Sequence, residues 1–362
     1  MAPKTDFPPV RACLFDMDGL LLDTEDLYTL CINLILEKYQ RPKLPWSIKA
    51  KLQGRPGPVA NKLFQDWAQL PISHEEYVKE YYDLQAQIFP NTKPLPGVPE
   101  LLANLGRTRY WDLQREKATA NGSANGTTNG VLKDVTNSAT NGQTNGSAKS
   151  NGVTNGANGA TKTPHRVHIA LATSAHESNF KLKTSHLTEL FSVFEAPRRV
   201  LGDDPRIPPG RGKPLPDIYL LALKTINDSL PAGEKPITPE ECLVFEDSVP
   251  GVEAGRRAGM RVVWVPHPML KKEYEGREKE VLAGRTMEAG EVDLHQLGEI
   301  DDGWAEYLPS LENFPYEKYG IVVPPPEVED ELAMIETGKI SEGEVMQVVK
   351  TTTAAKALES AA

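Results

Sequence analysis

The sequence predicts an α/β protein that is built on a parallel sheet and interrupted by a helical insertion. Short apolar or β-branched runs alternate with helical stretches, which is the pattern of a parallel sheet with covering helices. These runs lie at residues 10–15, 167–172, 242–245 and 262–265, with a weaker one at 200–201. Residues 24–95 differ, because their helix-like stretches are dense in aromatic residues and show no evident strand.

Helical spacing supports two elements of the predicted sheet protein. Residues 216–227 place Ile218, Leu221 and Ala222 on one helical face. A second helix is predicted over 249–258, with Gly259 as the residue that ends it. In the segment 24–95 we expect a helical module inserted into the α/β domain, whose aromatic residues form its own core.

Charge and cysteine content exclude several classes of protein. The 362 residues include 40 Lys and Arg against 50 Asp and Glu, a formal charge of −10. Nucleic-acid and anionic-membrane binders need clustered positive charge, so we expect neither kind of partner. Three cysteines cannot form a disulfide framework, which indicates a reducing compartment. With no apolar leader and no 18-residue apolar run, we expect a cytoplasmic monomer.

Two segments have the composition of chain that does not fold on its own. Residues 115–163 contain Asn-Gly eight times, with mostly Thr, Ser and Ala between the copies. Residues 321–362 begin with three prolines within their first six positions and carry a net charge of −5. We interpret them as a disordered insert and an acidic tail, although a short helix within 327–350 is an alternative. The remaining core then comprises residues 8–23 and 96–320, with a cap at 24–95.

Acidic residues follow two of the predicted strands. Asp16 and Asp18 come directly after the first run, and Glu246 and Asp247 after the fourth. The carboxyl ends of parallel strands meet at one edge of the sheet, where ligands bind. Carboxylates gathered there repel one another unless a cation lies between them or one is protonated, so they predict a Mg²⁺ site. They also suit paired roles as nucleophile and proton carrier, although an Asp-rich turn is the simpler alternative.

Two further strand ends carry groups that bind phosphate. Thr173 and Ser174 follow the second strand, and their hydroxyls can donate to phosphoryl oxygens. Lys213 lies between a glycine and a proline just before a helix, where its charge can be fixed on a phosphoryl group. Each signal is modest alone. Taken in order, the four strand ends predict Mg²⁺-dependent phosphoryl transfer.

These residues resemble the four motifs of the haloacid dehalogenase-like (HAD) hydrolases. The matching positions, in order, are Asp16-Met17-Asp18-Gly19, Thr173, Lys213-Pro214 and Glu246-Asp247. The segment 24–95 resembles the helical C1 cap of that family. The stretches FDMDGLLLDTE, LGDDP and CLVFED extend the resemblance to its pseudouridine-5′-phosphatase branch. The resemblance implies a Rossmann-like parallel-sheet core with an inserted C1 cap.

The resemblance also implies a role for each motif residue. Asp16 would attack phosphorus, and Asp18 would protonate the leaving alcohol and then activate water. Thr173, Ser174 and Lys213 would hold phosphoryl oxygens. Mg²⁺ would be bound by Asp16, the backbone carbonyl of Asp18, Asp247 and, directly or through water, Glu246. Arg55 lies where such caps present a substrate-facing turn, although a surface arginine is the equal alternative.

The predicted function is therefore a Mg²⁺-dependent phosphatase that acts on a small phosphorylated metabolite, such as a nucleoside or sugar monophosphate. A phosphomutase of the β-phosphoglucomutase type shares the fold and motifs and remains an alternative. Tyr28 stands near the position at which those mutases carry a histidine that relays cap closure. A regulatory protein that has kept the fold without catalysis is the other alternative.

Overall fold

A computed structural model describes residues 3–115, 164–286 and 297–328. Its centre is a six-stranded, fully parallel sheet with the strand order β3-β2-β1-β4-β5-β6. The strands are β1 Ala12–Phe15, β2 His168–Ala172, β3 Arg199–Val200, β4 Cys242–Glu246, β5 Arg261–Trp264 and β6 Ala305–Tyr307. The first five confirm the predicted runs to within two residues at either end. The three-residue β6 was not predicted, because it is too short to show a hydrophobic period.

Helices cover the sheet and fill the segment between its first two strands. Between β1 and α5 lie α1 Thr24–Lys38, α2 Trp46–Leu52, α3 Gly57–Ala68 and α4 His74–Ile88. The others are α5 Val98–Arg107, α6 Glu177–Thr184, α7 Thr188–Phe191, α8 Asp217–Asn227, α9 Val249–Arg257, α10 Pro268–Glu273 and α11 Glu278–Leu282. Helices α8 and α9 each agree with their predicted bounds to within one residue.

The sheet is buried on both faces, as parallel sheets generally are. Alternate residues of β1 point to opposite faces. Cys13 and Phe15 join an apolar cluster that includes Leu101 of α5, whereas Leu14 joins another that includes Val252 of α9. All three cysteines are free and buried, as is usual for cysteines that serve as small apolar side chains of a core.

Helices α1 to α4, which we call the cap, have an apolar cluster of their own. It includes Ile35, Phe64 and Tyr77. Helix α4 begins at a capping box in which the Ser73 hydroxyl accepts from the Glu76 backbone N–H and the Glu76 carboxylate accepts from that of Ser73. Such local pairing explains why this polar helix starts where it does.

Two chain segments join the cap to the sheet, and they are hydrogen-bonded to each other. The Asp23 N–H donates to the Lys93 carbonyl over 3.0 Å, and the Leu95 N–H donates to the Leu21 carbonyl over 3.0 Å. The two linkers therefore run side by side beyond the carboxyl end of β1, a central strand of the sheet.

The two segments of unusual composition fall mainly outside the described residues. Of the predicted insert, residues 116–163 lie outside them, and so do residues 329–362 of the predicted tail. Residues 321–328, which the sequence assigned to the tail, pack on the core instead. Ile321 and Val328 are buried, and the Trp111 indole N–H donates to the Val322 carbonyl over 2.9 Å. Among the described helices, none is both long and apolar enough to cross a bilayer.

Candidate active site

The predicted acidic residues meet at the centre of the sheet. Strands β1 and β4 are neighbours, and Phe15 is paired with Phe245. From β1 the chain continues to β2 and β3 on one side of it, and then to β4, β5 and β6 on the other side. Such a topological switch point leaves a crevice beyond the carboxyl ends of β1 and β4. Asp16 leaves β1 there, with its N–H donating to the Phe245 carbonyl over 3.1 Å. The two predicted acid pairs are thereby brought to one place.

Lys213 bridges the two strand ends. Its ammonium is buried and forms ion pairs with Asp16 Oδ1 and, over 2.6 Å, with Glu246 Oε1. Burial alone would lower the pKa of Lys213, but the two carboxylates outweigh it and raise the pKa. Burial raises the pKa of Asp16 to about 7, although Lys213 opposes the shift. The lysine is thus a fixed positive charge beside a carboxylate that would otherwise be too costly to bury.

Glu246 is held from several sides. Besides Lys213, it accepts from the Tyr219 hydroxyl, from the Ser248 N–H over 3.2 Å and from the Ser248 hydroxyl over 3.1 Å. Gly251 lies so close that a Cβ there would overlap the Glu246 carboxylate. Both carboxylate oxygens therefore have protein donors, and their position is closely defined.

Asp247 is buried and differs from Asp16 and Glu246 in its partners. Among the described residues no basic side chain pairs with it, and its carboxylate accepts from the amide of Gln53, at the end of α2. Burial raises the pKa of Asp247 well above its usual range, and the neighbouring carboxylates add to the shift. Gly19, at a φ of 76°, passes so close that a Cβ would collide with the Asp247 carboxylate.

These acids fit a divalent cation. One carboxylate oxygen from each of Asp16, Glu246 and Asp247 can be chosen so that all lie within 4.8 Å of one another. Mg²⁺ prefers oxygen ligands, which these carboxylates supply. A bound cation would also offset the charge of Asp247, which no basic side chain among the described residues balances. The residues present are therefore compatible with the predicted metal site.

The predicted phosphate-binding and substrate residues lie around the same crevice. The Thr173 hydroxyl accepts from the Ala175 N–H over 3.1 Å, and the Ser174 hydroxyl donates to the Gly54 carbonyl of the cap over 3.3 Å. Arg55 lines the crevice as well, while its Nε donates to the Lys51 carbonyl over 2.7 Å. Ser174 thus connects core and cap in this structure.

The crevice opens into a cavity of about 330 Å³ between core and cap. Asp16, Asp18 and Thr173 line its core side. The cap side includes aliphatic and charged side chains, such as Leu44 and Lys49, together with aromatic rings and amides, namely Tyr28, Phe64, Tyr77, Tyr81, Tyr82, Asn61 and Gln85. A larger cavity, of about 690 Å³, lies beside α5 and contains none of the predicted site residues.

Three site residues were missed by the sequence analysis. Gln53 reaches Asp247, Tyr219 reaches Glu246, and Lys183 forms an ion pair with Asp18 over 2.6 Å. Tyr219 lies six residues after Lys213, within a helix that was predicted, so its proximity could have been proposed. No local signal marks Gln53 or Lys183, because a polar residue in a helix is ordinarily solvated.

Comparisons with known proteins match this chain to one family of hydrolases and to relatives that include phosphatases. A sequence model of the haloacid dehalogenase-like hydrolases matches residues 10–259. An uncharacterized protein of Schizosaccharomyces pombe is 35 % identical over 309 residues, covering 85 % of this chain and 93 % of that protein. A probable pseudouridine-5′-phosphatase of Saccharomyces cerevisiae is 34 % identical, covering 86 % and 98 %. A (DL)-glycerol-3-phosphatase of Arabidopsis thaliana is 31 % identical, covering 75 % and 68 %.

Proposed function

Because the chain belongs to the haloacid dehalogenase-like hydrolases, we propose that it is a Mg²⁺-dependent phosphatase that forms an aspartyl-phosphate on Asp16. The observation that carries the proposal is the buried constellation of Asp16, Lys213, Glu246 and Asp247 at the switch point of the sheet. A nucleophilic carboxylate with a fixed positive charge and an acid cluster beside it suits transfer of a phosphoryl group.

In the first half of the proposed reaction, an Asp16 carboxylate oxygen attacks the phosphorus of a monoester. The bond from phosphorus to the ester oxygen breaks, and the leaving oxygen takes a proton from Asp18. Lys213, which contacts one oxygen of Asp16, also neutralises charge on the phosphoryl group as the group arrives. The Thr173 hydroxyl supplies a donor at the same edge, and the Ser174 hydroxyl joins it when its bond to the Gly54 carbonyl opens.

In the second half, a water molecule attacks the phosphorus of the aspartyl-phosphate. Asp18 accepts the proton that this water loses, the bond between phosphorus and the Asp16 oxygen breaks, and inorganic phosphate leaves. Asp16 and Asp18 then return to their starting states. The same carboxyl group thus serves as acid and then as base, which requires that it stay within reach of both oxygens.

Asp16, Asp247 and the backbone carbonyl of Asp18 are the groups that we propose to hold Mg²⁺. When bound, the ion offsets the negative charge of the carboxylates and the phosphoryl group. Glu246 already accepts from Lys213, Tyr219 and Ser248, so we assign it the support of Lys213 rather than direct ligation.

The cavity favours a substrate with a flat, polar group. Tyr82, which is 47 % exposed, offers an aromatic face for stacking, and the amide of Asn61 offers both a donor and an acceptor. A pyrimidine base attached to a ribose 5-phosphate, as in pseudouridine 5′-phosphate, matches this chemistry. The name of the Saccharomyces cerevisiae relative agrees with that substrate. The name of the Arabidopsis thaliana relative indicates glycerol 3-phosphate as the competing substrate to test.

The proposal is tested by phosphate release from pseudouridine 5′-phosphate, uridine 5′-phosphate, glycerol 3-phosphate and glucose 1-phosphate in Mg²⁺. We expect pseudouridine 5′-phosphate to have the highest kcat/KM and EDTA to abolish turnover. Asp16→Asn should lower kcat at least about 10³-fold, because the nucleophile is lost. Asp66→Asn, in an exposed ion pair on α3, is the matched control and should be unchanged.

Three results would contradict the proposal. Full activity in Asp16→Asn would exclude the aspartyl-phosphate. Isomerisation of a hexose 1-phosphate without phosphate release would favour the mutase. Absence of turnover on every ester, with Mg²⁺ bound, would favour a regulatory protein.

We also propose that the enzyme is a monomer of a reducing compartment, the cytoplasm. Its three cysteines are all free and buried, which suits such a compartment. Light scattering coupled to gel filtration, together with cell fractionation, tests both statements. A stable dimer or an organellar location would contradict them.

A further inference from the structure

One lysine near the site is buried although nothing in its local sequence sets it apart. Lys183 lies near the end of α6, and its side chain is 0 % exposed. Lys181, two residues earlier on the same helix, is 70 % exposed and pairs with Glu177 in solvent. Burying an ammonium group is unfavourable unless its hydrogens find partners, so the partners of Lys183 should explain its position.

The partners of Lys183 belong to the cavity and the cap. Its Nζ lies 2.6 Å from Asp18 Oδ1 and 2.7 Å from the Tyr28 hydroxyl. The same nitrogen lies 4.7 Å from the centre of the Tyr28 ring and 4.8 Å from that of Phe89. Two polar partners and two aromatic rings surround the Lys183 ammonium, and they hold its side chain in one orientation.

The backbone of Lys183 is also attached to the cap linkers. Its carbonyl accepts from the Thr92 hydroxyl over 2.8 Å, and Thr92 is on the linker that returns from the cap. Tyr28 is on α1, which begins at the end of the other linker. Lys183 therefore contacts the returning linker, the first helix of the cap and the proposed acid/base at once.

We propose that Lys183 is a positioning residue for Asp18. It holds one carboxylate oxygen of Asp18, so that the other faces the reacting ester, and through Tyr28 it connects that carboxyl group to the cap. The inference rests on the proposed function, in which Asp18 gives its proton to the leaving oxygen. Lys183 itself transfers no atom, so the proton balance of the reaction is unchanged.

Misplacing Asp18 has a specific kinetic consequence. An ester whose alcohol is a weak acid needs a proton as its bond to phosphorus breaks, whereas 4-nitrophenolate leaves well without one. Phenyl phosphate and 4-nitrophenyl phosphate share the same ring and phosphoryl group, and the nitro group makes 4-nitrophenolate the far better leaving group. A general loss of structure would lower the activity toward both, but loss of proton delivery would lower it mainly for phenyl phosphate.

The test is kcat/KM for these two esters, which reports the steps up to departure of the leaving group. Lys183→Met should lower kcat/KM for phenyl phosphate at least about 30-fold and that for 4-nitrophenyl phosphate less than about threefold. Lys183→Gln, which keeps a donor for Asp18, should recover part of the loss. Tyr28→Phe should shift the ratio in the same direction by a few-fold, and Lys181→Met should leave both values unchanged.

Two reference variants keep the outcomes separate. Asp16→Asn should be inactive on both esters, and it tests the proposed function by itself. Asp18→Asn removes the proton donor, so it shows the largest change in the ratio of the two kcat/KM values that loss of proton delivery can cause. If Asp18→Asn discriminates between the esters and Lys183→Met does not, the positioning role is wrong. If Lys183→Met fails to fold by circular dichroism, Tyr28→Phe and Lys183→Gln decide, and equal losses on both esters in these two overturn the inference.

Discussion

Mild acid should destabilise this fold through one buried histidine. His168, the first residue of β2, is buried, with Nε2 3.1 Å from Glu234 Oε1 and Nδ1 3.3 Å from Arg198 Nη1. A guanidinium only donates, so Nδ1 accepts, and the neutral ring gives its Nε2 hydrogen to Glu234. Burial lowers the pKa of His168 to about 4, with Arg166 and Arg198 adding to the effect and Glu234 opposing it.

The direction and size of the effect follow from this pKa. An unfolded histidine has a pKa of about 6.5, so between pH 6.5 and 4 the unfolded chain binds more protons at His168 than the folded chain does. The free energy of unfolding therefore falls as the pH falls through this range. From pH 7.5 to 5 the contribution of His168 amounts to about 2 kcal/mol.

Equilibrium unfolding in urea at pH 7.5, 6.5, 5.5 and 5.0 measures this contribution. His168→Gln keeps a donor and an acceptor but does not titrate, so the variant should lose about 2 kcal/mol less than the natural chain over the series. His74→Gln, at an exposed position, should retain the natural pH dependence. If the natural chain and His168→Gln differ by the same free energy of unfolding at every pH, His168 does not cause the loss of stability in acid.

Three other changes test two residues of the proposed active site and the low-complexity insert. Gly19→Ala should reduce kcat at least about tenfold, since a Cβ meets the Asp247 carboxylate at a positive φ; colorimetric phosphate release checks this, and natural activity would contradict it. Lys213→Met should lower kcat/KM about 10²- to 10³-fold because a fixed charge beside the nucleophile is lost, whereas the exposed Lys224→Met should not. Deleting residues 118–162 should leave kcat within a few-fold, because this low-complexity stretch contains no motif residue; a larger loss would give the insert a role.

The sheet and the neighbourhood of the site were predictable for a simple physical reason. Strands buried on both faces are continuous apolar runs, and they are visible without knowledge of their partners. The carboxyl ends of parallel strands must share an edge, so acids after two such runs were expected to meet. The structure brings Asp16 and Glu246 together as that reasoning requires, through the pairing of β1 with β4.

Elements with weak local signals could not be placed in this way. β6 has three residues and forms because β5 offers it a free edge, not because its own sequence demands a strand. The beginning of the tail was also misjudged by composition. Three prolines lie within its first six residues, yet Ile321 is buried in the apolar cluster that contains Leu101 of α5, and Val328 is buried as well.

The sequence by itself determined the α/β class, the order of the motifs and the kinds of group that gather at the strand ends. These follow from periodicity and from the direction of parallel strands, which are local properties of the chain. Only the tertiary structure decided which of two similar lysines on α6 is functional in our proposal. Lys181 and Lys183 are the same residue type on one short helix, but only Lys183 lies where Asp18, Tyr28 and Thr92 of the returning linker meet. The burial of Lys183 and its contacts with Asp18 and Tyr28, which are more than 150 residues away in the sequence, result from tertiary packing. No local sequence pattern encodes them.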